Sequence, residues 1–294
     1  MIAYQPSLDH AAMVDRAIEQ MRLAGALSGK YYNRPLLLCY SGGKDSDVLL
    51  WVAEESGIEF EAQYSKTSVD APETVSHVKE TFARLRARGI NAFVEVPKLY
   101  GKPVTMWSLI ARHNMPPTRL VRYCCQTLKE TGGKGRAIAT GVRRSESVAR
   151  SGRKFAQNTT KRNREALDFE DAASLFEDAE RFIEHDSAFL KSCKVQGKTS
   201  FQPIIEFTDS NVWQLIDEQG INTNPLYELG YSRVGCIGCP FASRKQRESG
   251  FERYPAYRAA YLRAFGAMLQ RRRAKGLETE WNTPEEVMEW WLRG

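Results

Sequence analysis

The stretch Pro35-Leu36-Leu37-Leu38-Cys39-Tyr40-Ser41-Gly42-Gly43-Lys44-Asp45-Ser46 decides the fold. Its first half is a short apolar run of the kind that forms a strand buried on both faces of a parallel sheet. Its second half is a glycine pair flanked by hydroxyl and charged groups, and the apolar run Val48 to Ala53 that follows reads as a helix. A strand, a tight glycine turn and a helix in that order make an anion cradle. The glycines let the backbone turn sharply and approach an anion closely, and the first N–H groups of the helix have no partner inside the helix. The helix dipole adds roughly 0.3–1 kcal/mol for a negative charge placed there. Ser41 and Ser46 supply hydroxyl donors and Lys44 a mobile positive charge. The loop is not of the Walker A type, which places four residues between its first Gly and its Gly-Lys.

Working outward, Leu8, Ala11, Val14, Ile18 and Met21 recur at helical spacing over residues 7–24, with Ser7 as N-cap. After the loop, strands are expected at Phe60–Tyr64, Ala92–Val96 and Arg136–Thr140. Helices are expected at Pro72–Arg88 and Val104–Arg112. This alternation predicts an α/β fold, a doubly wound and mostly parallel sheet, in which ligands sit beyond the carboxyl ends of the strands. Residues 142–200 are the least regular and read as a mobile loop followed by helix. Thr208-Asp209 caps a further helix holding Val212, Leu215 and Ile216, and helices near Tyr254–Arg273 and Pro284–Leu292 follow. The expected organisation is an N-terminal helix in 1–30, a nucleotide-binding core in 31–165, and a C-terminal region in 166–294 packed on the core as one domain. There is no internal repeat and no low-complexity tract.

A second anion-binding segment follows the strand at 136–140. It runs Gly141-Val142-Arg143-Arg144-Ser145-Glu146-Ser147-Val148-Ala149-Arg150. Guanidinium groups grip phosphate or sulfate by paired hydrogen bonds. Arg143, Arg144 and Arg150 with Ser145 are therefore candidate ligands, and Glu146 can orient an arginine or cap the next helix. Between Lys129 and Arg164 there are eleven Lys or Arg against two acids, a charge run that elsewhere is most often a solvated loop.

The six cysteines are Cys39, Cys124, Cys125, Cys193, Cys236 and Cys239. In a reducing compartment clustered cysteines read as metal-binding or catalytic rather than as a disulfide framework. The adjacent pair Cys124-Cys125 and the pair in Cys236-Ile237-Gly238-Cys239 could together hold a tetrahedral zinc or an iron–sulfur cluster. Zinc sites usually space both pairs by two to four residues, whereas adjacent cysteines project differently and suit a larger object. Cys39 falls in the buried strand and reads as a packing residue, Cys193 as a free thiol in an irregular stretch, and Lys129 as a positive charge near the cysteines.

Ser41-Gly42-Gly43-Lys44-Asp45-Ser46 resembles the signature of the PP-loop ATP pyrophosphatases. Gly141-x-Arg143-x-x-Glu146-Ser147-x-x-Arg150 looks like the second segment of phosphoadenosine-phosphosulfate (PAPS) reductase-like proteins. The CC…CxxC cysteines are similar to the cluster-binding pattern of assimilatory adenylyl-sulfate reductases, and Pro203 to Asp209, Asn224-Pro225-Leu226 and Gly235-Cys236 follow that family's order. The resemblance covers about residues 30–265. It implies the adenine nucleotide alpha hydrolase-like fold, with ATP and Mg2+ bound at Ser41, Gly42, Gly43, Lys44, Asp45, Ser46, Gly141, Arg143, Arg144, Ser145 and Arg150. It also implies Lys44 and Asp45 as catalytic residues, and a [4Fe–4S] cluster on Cys124, Cys125, Cys236 and Cys239. PP-loop members split ATP between its α and β phosphates and typically transfer AMP to a substrate oxygen. Sulfonucleotide reductases instead carry an altered loop and a nucleophilic cysteine on a C-terminal tail, whereas here the loop is intact and no cysteine follows Cys239.

These departures lead to the expectation of an ATP-dependent, iron–sulfur sulfur-transfer enzyme, similar to the proteins of DNA phosphorothioation or tRNA thiolation. The first alternative is a PAPS or adenylyl-sulfate reductase whose thiol is Cys193 or comes from a partner. The second is a non-catalytic module that binds nucleotide or nucleic acid. The partners expected are an adenine nucleotide, a nucleic-acid acceptor, a sulfur-donor or thioredoxin-like protein, and further copies of the chain in a homo-oligomer. With 42% hydrophobic and 27% charged residues and a net charge of +6, the chain has ordinary globular composition and suits a phosphate-bearing partner. No apolar run reaches membrane-spanning length and the start lacks a basic-then-apolar leader, so no membrane association and a cytoplasmic location are expected.

Overall fold

The three leucines of Leu36–Cys39 are almost wholly buried because this strand, β1, lies inside a sheet rather than at its edge. The computed structural model describes residues 10–158, 166–174 and 198–293. In chain order its elements are α1 (His10–Tyr32), β1, α2 (Lys44–Ser56), β2 (Phe60–Ser65), α3 (Pro72–Ala87), β3 (Ala92–Glu95), β4 (Lys98–Leu99), β5 (Lys102–Pro103), α4 (Met106–His113) and α5 (Tyr123–Leu128). There follow β6 (Ala137–Thr140), a 3-10 turn at Arg144–Glu146, α6 (Val148–Ser151), β7 (Ala156–Asn158), β8 (Ala166–Leu167), β9 (Thr199–Phe201), α7 (Asp209–Gln219), α8 (Arg244–Arg253), α9 (Pro255–Ala274) and α10 (Pro284–Arg293). The chain divides into two compact units. One comprises the chain up to Tyr64, Ser76–Phe93 and Gly133–Gly230; the other comprises Ser65–Val75, Val94–Gly132 and the chain from Tyr231 onward.

The first unit is the expected α/β fold. Its seven-stranded sheet has the order β3-β2-β1-β6-β9-β7-β8. β1 runs parallel to both β2 and β6, and β6 parallel to β9, while β7 is antiparallel to β9 and β8. Going along the chain, the strands step outward from β1 through β2 to β3. The chain then returns to place β6 on the other side of β1. That reversal is the topological switch point at which open α/β sheets bind ligands. The register pairs Cys39 with Thr140, so the loops after β1 and β6 leave the sheet side by side. Their approach is tight: a Cβ on Gly141 would lie 2.7 Å from the carbonyl oxygen of Asp45. Leu36, Leu38, Val48, Val52, Ala62, Phe82 and Phe201 form the centre of the core around this edge, the larger of them worth roughly 1.5–3 kcal/mol each on burial.

Two local expectations differ from the structure. α1 continues to Tyr32, because Ala24, Leu27, Ser28 and Tyr31 extend the buried face by two further turns; Ser7 lies outside the described residues. The stretch expected as loop and helix at 142–200 contributes three strands, β7, β8 and β9, and β9 sits inside the sheet beside β6. These strands are two or three residues long and mostly polar. Thr199 and Ser200 are buried with their hydroxyls bonded, to Tyr32 Oη at 2.7 Å and Gln202 Nε2 at 2.7 Å. Cys193 lies outside the described residues.

In the second unit, α9 packs along α4 and α10 around an aromatic cluster of Tyr261, Phe265, Phe251 and Trp291. The buried Arg247 guanidinium donates to the carbonyls of Trp291 (2.6 Å) and Leu292 (2.9 Å), satisfying the last turn of α10. Trp291 Nε1 donates to Pro117 O at 2.6 Å. β4 and β5 form a hairpin closed by Tyr100-Gly101, both at positive φ (51° and 77°). No helix among the described residues is long and apolar enough to cross a membrane.

The close approach of Gly141 gives a direct test. Gly141→Ala must push its new methyl against backbone, and a loss of about 1–3 kcal/mol in urea unfolding is expected. Gly152→Ala, where an added Cβ meets nothing within 4 Å, should stay within about 0.5 kcal/mol of the parent.

Candidate functional site

The loop after β1 begins with Gly42 at φ +74°, a conformation that a side chain would strain, and Gly43 is the N-cap of α2. Ser46 folds back on the turn. Its N–H donates to Gly43 O at 2.8 Å, its hydroxyl donates to the same oxygen at 2.7 Å, and it accepts from Gly43 N at 3.2 Å. Ser41 Oγ donates to Ser46 Oγ at 3.2 Å. Two residues from a much later part of the chain hold the loop from outside: Asn224 Nδ2 donates to Gly42 O at 2.8 Å, and Lys44 N donates to Tyr227 Oη at 3.0 Å. Two N–H groups of the expected anion cradle, those of Gly43 and Lys44, are therefore matched by hydroxyl oxygens within the protein.

Lys44 is buried and pinned, not mobile. Its Nζ lies 2.8 Å from Asp209 Oδ1 and 3.6 Å from Asp45 Oδ1, and 6.0 Å from the centroid of the Trp213 ring. Arg143 is also buried, at 3% exposure. Its Nη2 donates to Asp209 Oδ1 at 3.0 Å and its Nη1 to Ser145 Oγ at 3.1 Å. Its Nε stands 2.7 Å from Asp45 Oδ1 but out of line for a hydrogen bond. Lys44, Asp45, Arg143 and Asp209 thus form a network of two cations and two carboxylates at the switch point. Burial holds the Asp45 carboxyl above its ordinary range despite the pull of Arg143 and Lys44. Asp209, more exposed, is held below its ordinary range, chiefly by the hydrogen bond from Lys44.

The other arginines of the second segment serve different partners. Arg144 Nε donates to Arg153 O at 2.8 Å, and its guanidinium lies 3.6 Å from both Asp168 and Glu206. Arg150 pairs with Glu146, whose carboxylate also accepts from Arg143 N at 3.1 Å. Behind the loop, the residues flanking Ser41–Ser46 are tied together: Tyr40 Oη donates to Asp47, and His77 Nε2 lies 3.0 Å from both. All three side chains are buried.

The cysteines belong to the second unit. Cys124 and Cys125 sit on the six-residue α5, and the segment Cys236–Cys239 is held by Ile237 N donating to Val69 O at 2.8 Å. Gly238 has φ +72°, and a Cβ there would lie 2.8–3.0 Å from Phe251, Trp291 and Tyr261. Tyr261 donates to Ile237 O at 3.0 Å, and burial, then the charges of Cys236, Cys124 and Cys239, push its hydroxyl up. Cys236 Sγ lies 3.8 Å from Thr67 Oγ1 and 4.0 Å from Asp70 Oδ1. Lys129 is an exposed residue whose ammonium lies within the field of Cys236. Attraction to Cys236, then to Asp70 and Cys125, keeps it firmly protonated. The hydrogen bond donated by Cys124, then those from Arg122 and the charge of Lys129, lowers Cys125, while that same bond and burial push Cys124 up. Burial pushes Cys236 up against the pull of Lys129. Among the described residues no three His, Cys, Asp or Glu side chains are grouped closely enough to hold a single metal ion. Cys39 is half-buried in β1 of the first unit, its thiol pushed up to about 11 by desolvation.

Asp209, Asn224 and Tyr227 were not singled out from the sequence as site residues, nor were the Tyr40–Asp47–His77 group, Thr67 and Asp70. Asp209 had a signal, but one that reads equally as a helix cap. Asn224 and Tyr227 read as part of a turn.

Comparison with known proteins follows the same division. A protein of Methanocaldococcus jannaschii is 26% identical over 239 residues, which is 77% of this chain but 48% of that protein. The chain therefore spans about half the length of this archaeal relative. The adenosine 5'-phosphosulfate reductase of Bacillus cereus is 23% identical over 235 residues, covering 75% of this chain and 82% of that enzyme. Among solved structures, the FMN adenylyltransferase of Candida glabrata superimposes with a TM-score of 0.45 at 15% identity, over 86% of this chain and 75% of that one. Residues 35–242, which include both candidate anion-binding segments and all four paired cysteines, match the phosphoadenosine phosphosulfate reductase domain, and the chain belongs to that family.

Proposed function

We propose that the chain binds ATP with Mg2+ at the loop after β1 and uses it to adenylate an oxygen that sulfur then replaces, with a [4Fe–4S] cluster on its four paired cysteines. The observation that carries this reading is the network of Lys44, Asp45, Arg143 and Asp209. A magnesium nucleotide brings both signs of charge to such a site, phosphates for the two cations and a hard cation for the two carboxylates. A sulfonucleotide brings only the anion and would leave the carboxylates unmatched.

The donor sets fit both groups. Asp45 and Asp209 offer the carboxylate oxygens that Mg2+ prefers, and that ion offsets charge on the phosphates when bound. Cys124, Cys125, Cys236 and Cys239 offer four thiols, with the positive charges of Lys129 and Arg122 acting on Cys236 and Cys125; thiolates of this kind hold iron–sulfur clusters. In the adenylation step the acceptor oxygen attacks the α phosphorus. The bond from that phosphorus to the bridging oxygen of the β phosphate breaks, and pyrophosphate leaves with the electron pair. Lys44 and Arg143 offset the charge that gathers on it. Ser41, Gly42, Gly43, Ser46 and Gly141 shape the loop, and Ser145 positions Arg143. Arg144 and Arg150 act from the margin, through their acidic partners.

A second reading, reduction of a sulfonucleotide, is favoured by the Bacillus cereus reductase and its similarity over 75% of this chain. Its thiol would be Cys193 or that of a thioredoxin-like partner. Pyrophosphate release from ATP on adding an acceptor supports the first reading, and sulfite release from adenylyl-sulfate with thioredoxin supports the second.

Three outcomes are expected. Asp209→Asn should weaken MgATP binding in calorimetry by roughly tenfold or more, the loss of one charge-assisted contact of about 1.5–3 kcal/mol, while binding of inorganic phosphate is unchanged or stronger. An Asp209→Asn protein that binds MgATP as the parent does would remove the carboxylate pair from the argument. Tyr227→Phe deletes the hydroxyl that Lys44 N now uses and keeps the ring packed against Trp213; nucleotide should bind about 2- to 10-fold more tightly, one net hydrogen bond. Anaerobically purified protein should contain about four iron and four sulfide per chain, and Cys236→Ser should lower both. Stoichiometric zinc without sulfide would sink the cluster assignment.

A further inference from the structure

The two stretches that carry the cysteine pairs combine two features that the proposed chemistry does not use: bare apolar side chains and an excess of positive charge. Between Glu95 and Glu130 the sequence has no acid and six Lys or Arg, and between Glu228 and Glu248 it has no acid and four. Both stretches lie in the second unit from Val94 and Tyr231 onward, and they carry the two cysteine pairs.

Within these stretches two aromatic rings stand in solvent, each with a guanidinium against it. Tyr100, at the tip of the β4–β5 hairpin, is 82% exposed, with Arg112 Cζ 4.9 Å from its ring centroid. Its φ of +51° is a position where glycine or asparagine is usual and a bulky side chain is strained. Lys98 and Lys102 flank it, both exposed, and β4 lies against α5, the helix of Cys124 and Cys125. Phe241, two residues after Cys239, is 46% exposed, with Arg122 Cζ 4.8 Å from its ring centroid. Arg119 Nε donates to Pro240 O at 3.0 Å. These contacts join the Phe241 segment to the turn Thr118–Val121, whose Leu120 is 94% exposed.

We propose that this surface binds single-stranded nucleic acid, with bases stacked on Tyr100 and Phe241 and the backbone phosphates paired with Lys98, Lys102, Arg112, Arg119 and Arg122. Rings backed by guanidinium groups offer π faces to any unpaired base, and the exposed cations beside them can pair with the phosphates. A duplex keeps its bases stacked on one another and cannot use the rings in this way. An acidic protein surface would use the charges but not the two separate exposed rings. As the acceptor for sulfur transfer this strand rests on the function proposed above; as a binding surface it does not.

The test is fluorescence anisotropy with labelled homopolymeric DNA and RNA strands of about 12 nucleotides, and a matching duplex, on anaerobically purified full-length chain. The single strand should bind, and binding should weaken roughly tenfold or more between 50 and 200 mM salt. Tyr100→Ala and Phe241→Ala should each weaken it by roughly 5- to 100-fold, with MgATP binding and thermal melting as in the parent. No strand binding at low salt, equal binding of the duplex, or strand binding unmoved by both substitutions overturns the proposal. Binding of a thioredoxin-like protein to this surface without any binding of strands does so too. Strand binding that depends on the two rings in a protein that fails to bind ATP upholds the surface and sinks the nucleotide reading, so the two failures are distinguishable.

Discussion

A buried cation must be matched, and the placement of Lys44 and Arg143 under the switch point of the sheet governs much of the first unit. A charge taken out of water without a partner costs several kcal/mol, so the chain must deliver carboxylates to the same spot. It does so from two directions: Asp45 one residue after Lys44, and Asp209 from the N-terminus of α7, 164 residues later in numbering than Asp45. The parallel order of β1, β6 and β9 makes this delivery possible, since loops leaving neighbouring parallel strands emerge on the same edge. Gly141 then sets the distance. With backbone against backbone at Asp45, the loop carrying Arg143 comes close enough for its guanidinium to reach both carboxylates.

The second unit solves a different problem with similar means. The Cys236–Cys239 turn seats against the rings of Phe251, Trp291 and Tyr261 because Gly238 has no side chain to hold it off the aromatic cluster. The positive charges that act on the thiols, Arg122 and Lys129, are the N-cap and C-cap residues of the same short helix, α5. Six residues of helix and its two caps thus carry two thiols and both cations.

The parts legible in the sequence were those encoded locally. The apolar run into Ser41–Ser46, the α/β alternation and the capping signal at Thr208 each depend on residues a few positions apart, and each has its counterpart in the structure. β7, β8 and β9 escaped because short polar strands such as Thr199-Ser200-Phe201 owe their burial to neighbours on both sides, not to their own periodicity. Asp209, Asn224 and Tyr227 escaped for the same reason at longer range: nothing within ten residues of them distinguishes a loop-holding group from a cap or a turn. Arg144 and Arg150 were legible as cations but not by partner, since three arginines within eight residues read alike until the fold assigns Asp45 and Asp209 to Arg143 and leaves the others to Asp168, Glu206 and Glu146.

Affinity at such a site is a difference, because each contact a ligand makes replaces one the protein already makes. Gly43 N and Lys44 N have hydroxyl partners, and Lys44 and Arg143 have carboxylates. An anion alone gains the two cations but strands Asp45 and Asp209, one of them largely buried, and the cost of an unmatched buried charge exceeds the gain from an ordinary hydrogen bond. A ligand that carries a divalent cation with its phosphates incurs no such loss, since it re-pairs all four charges at once. In the function proposed above, selectivity for a metal-bearing polyphosphate would rest on this internal pairing rather than on a pocket shaped to the base or sugar.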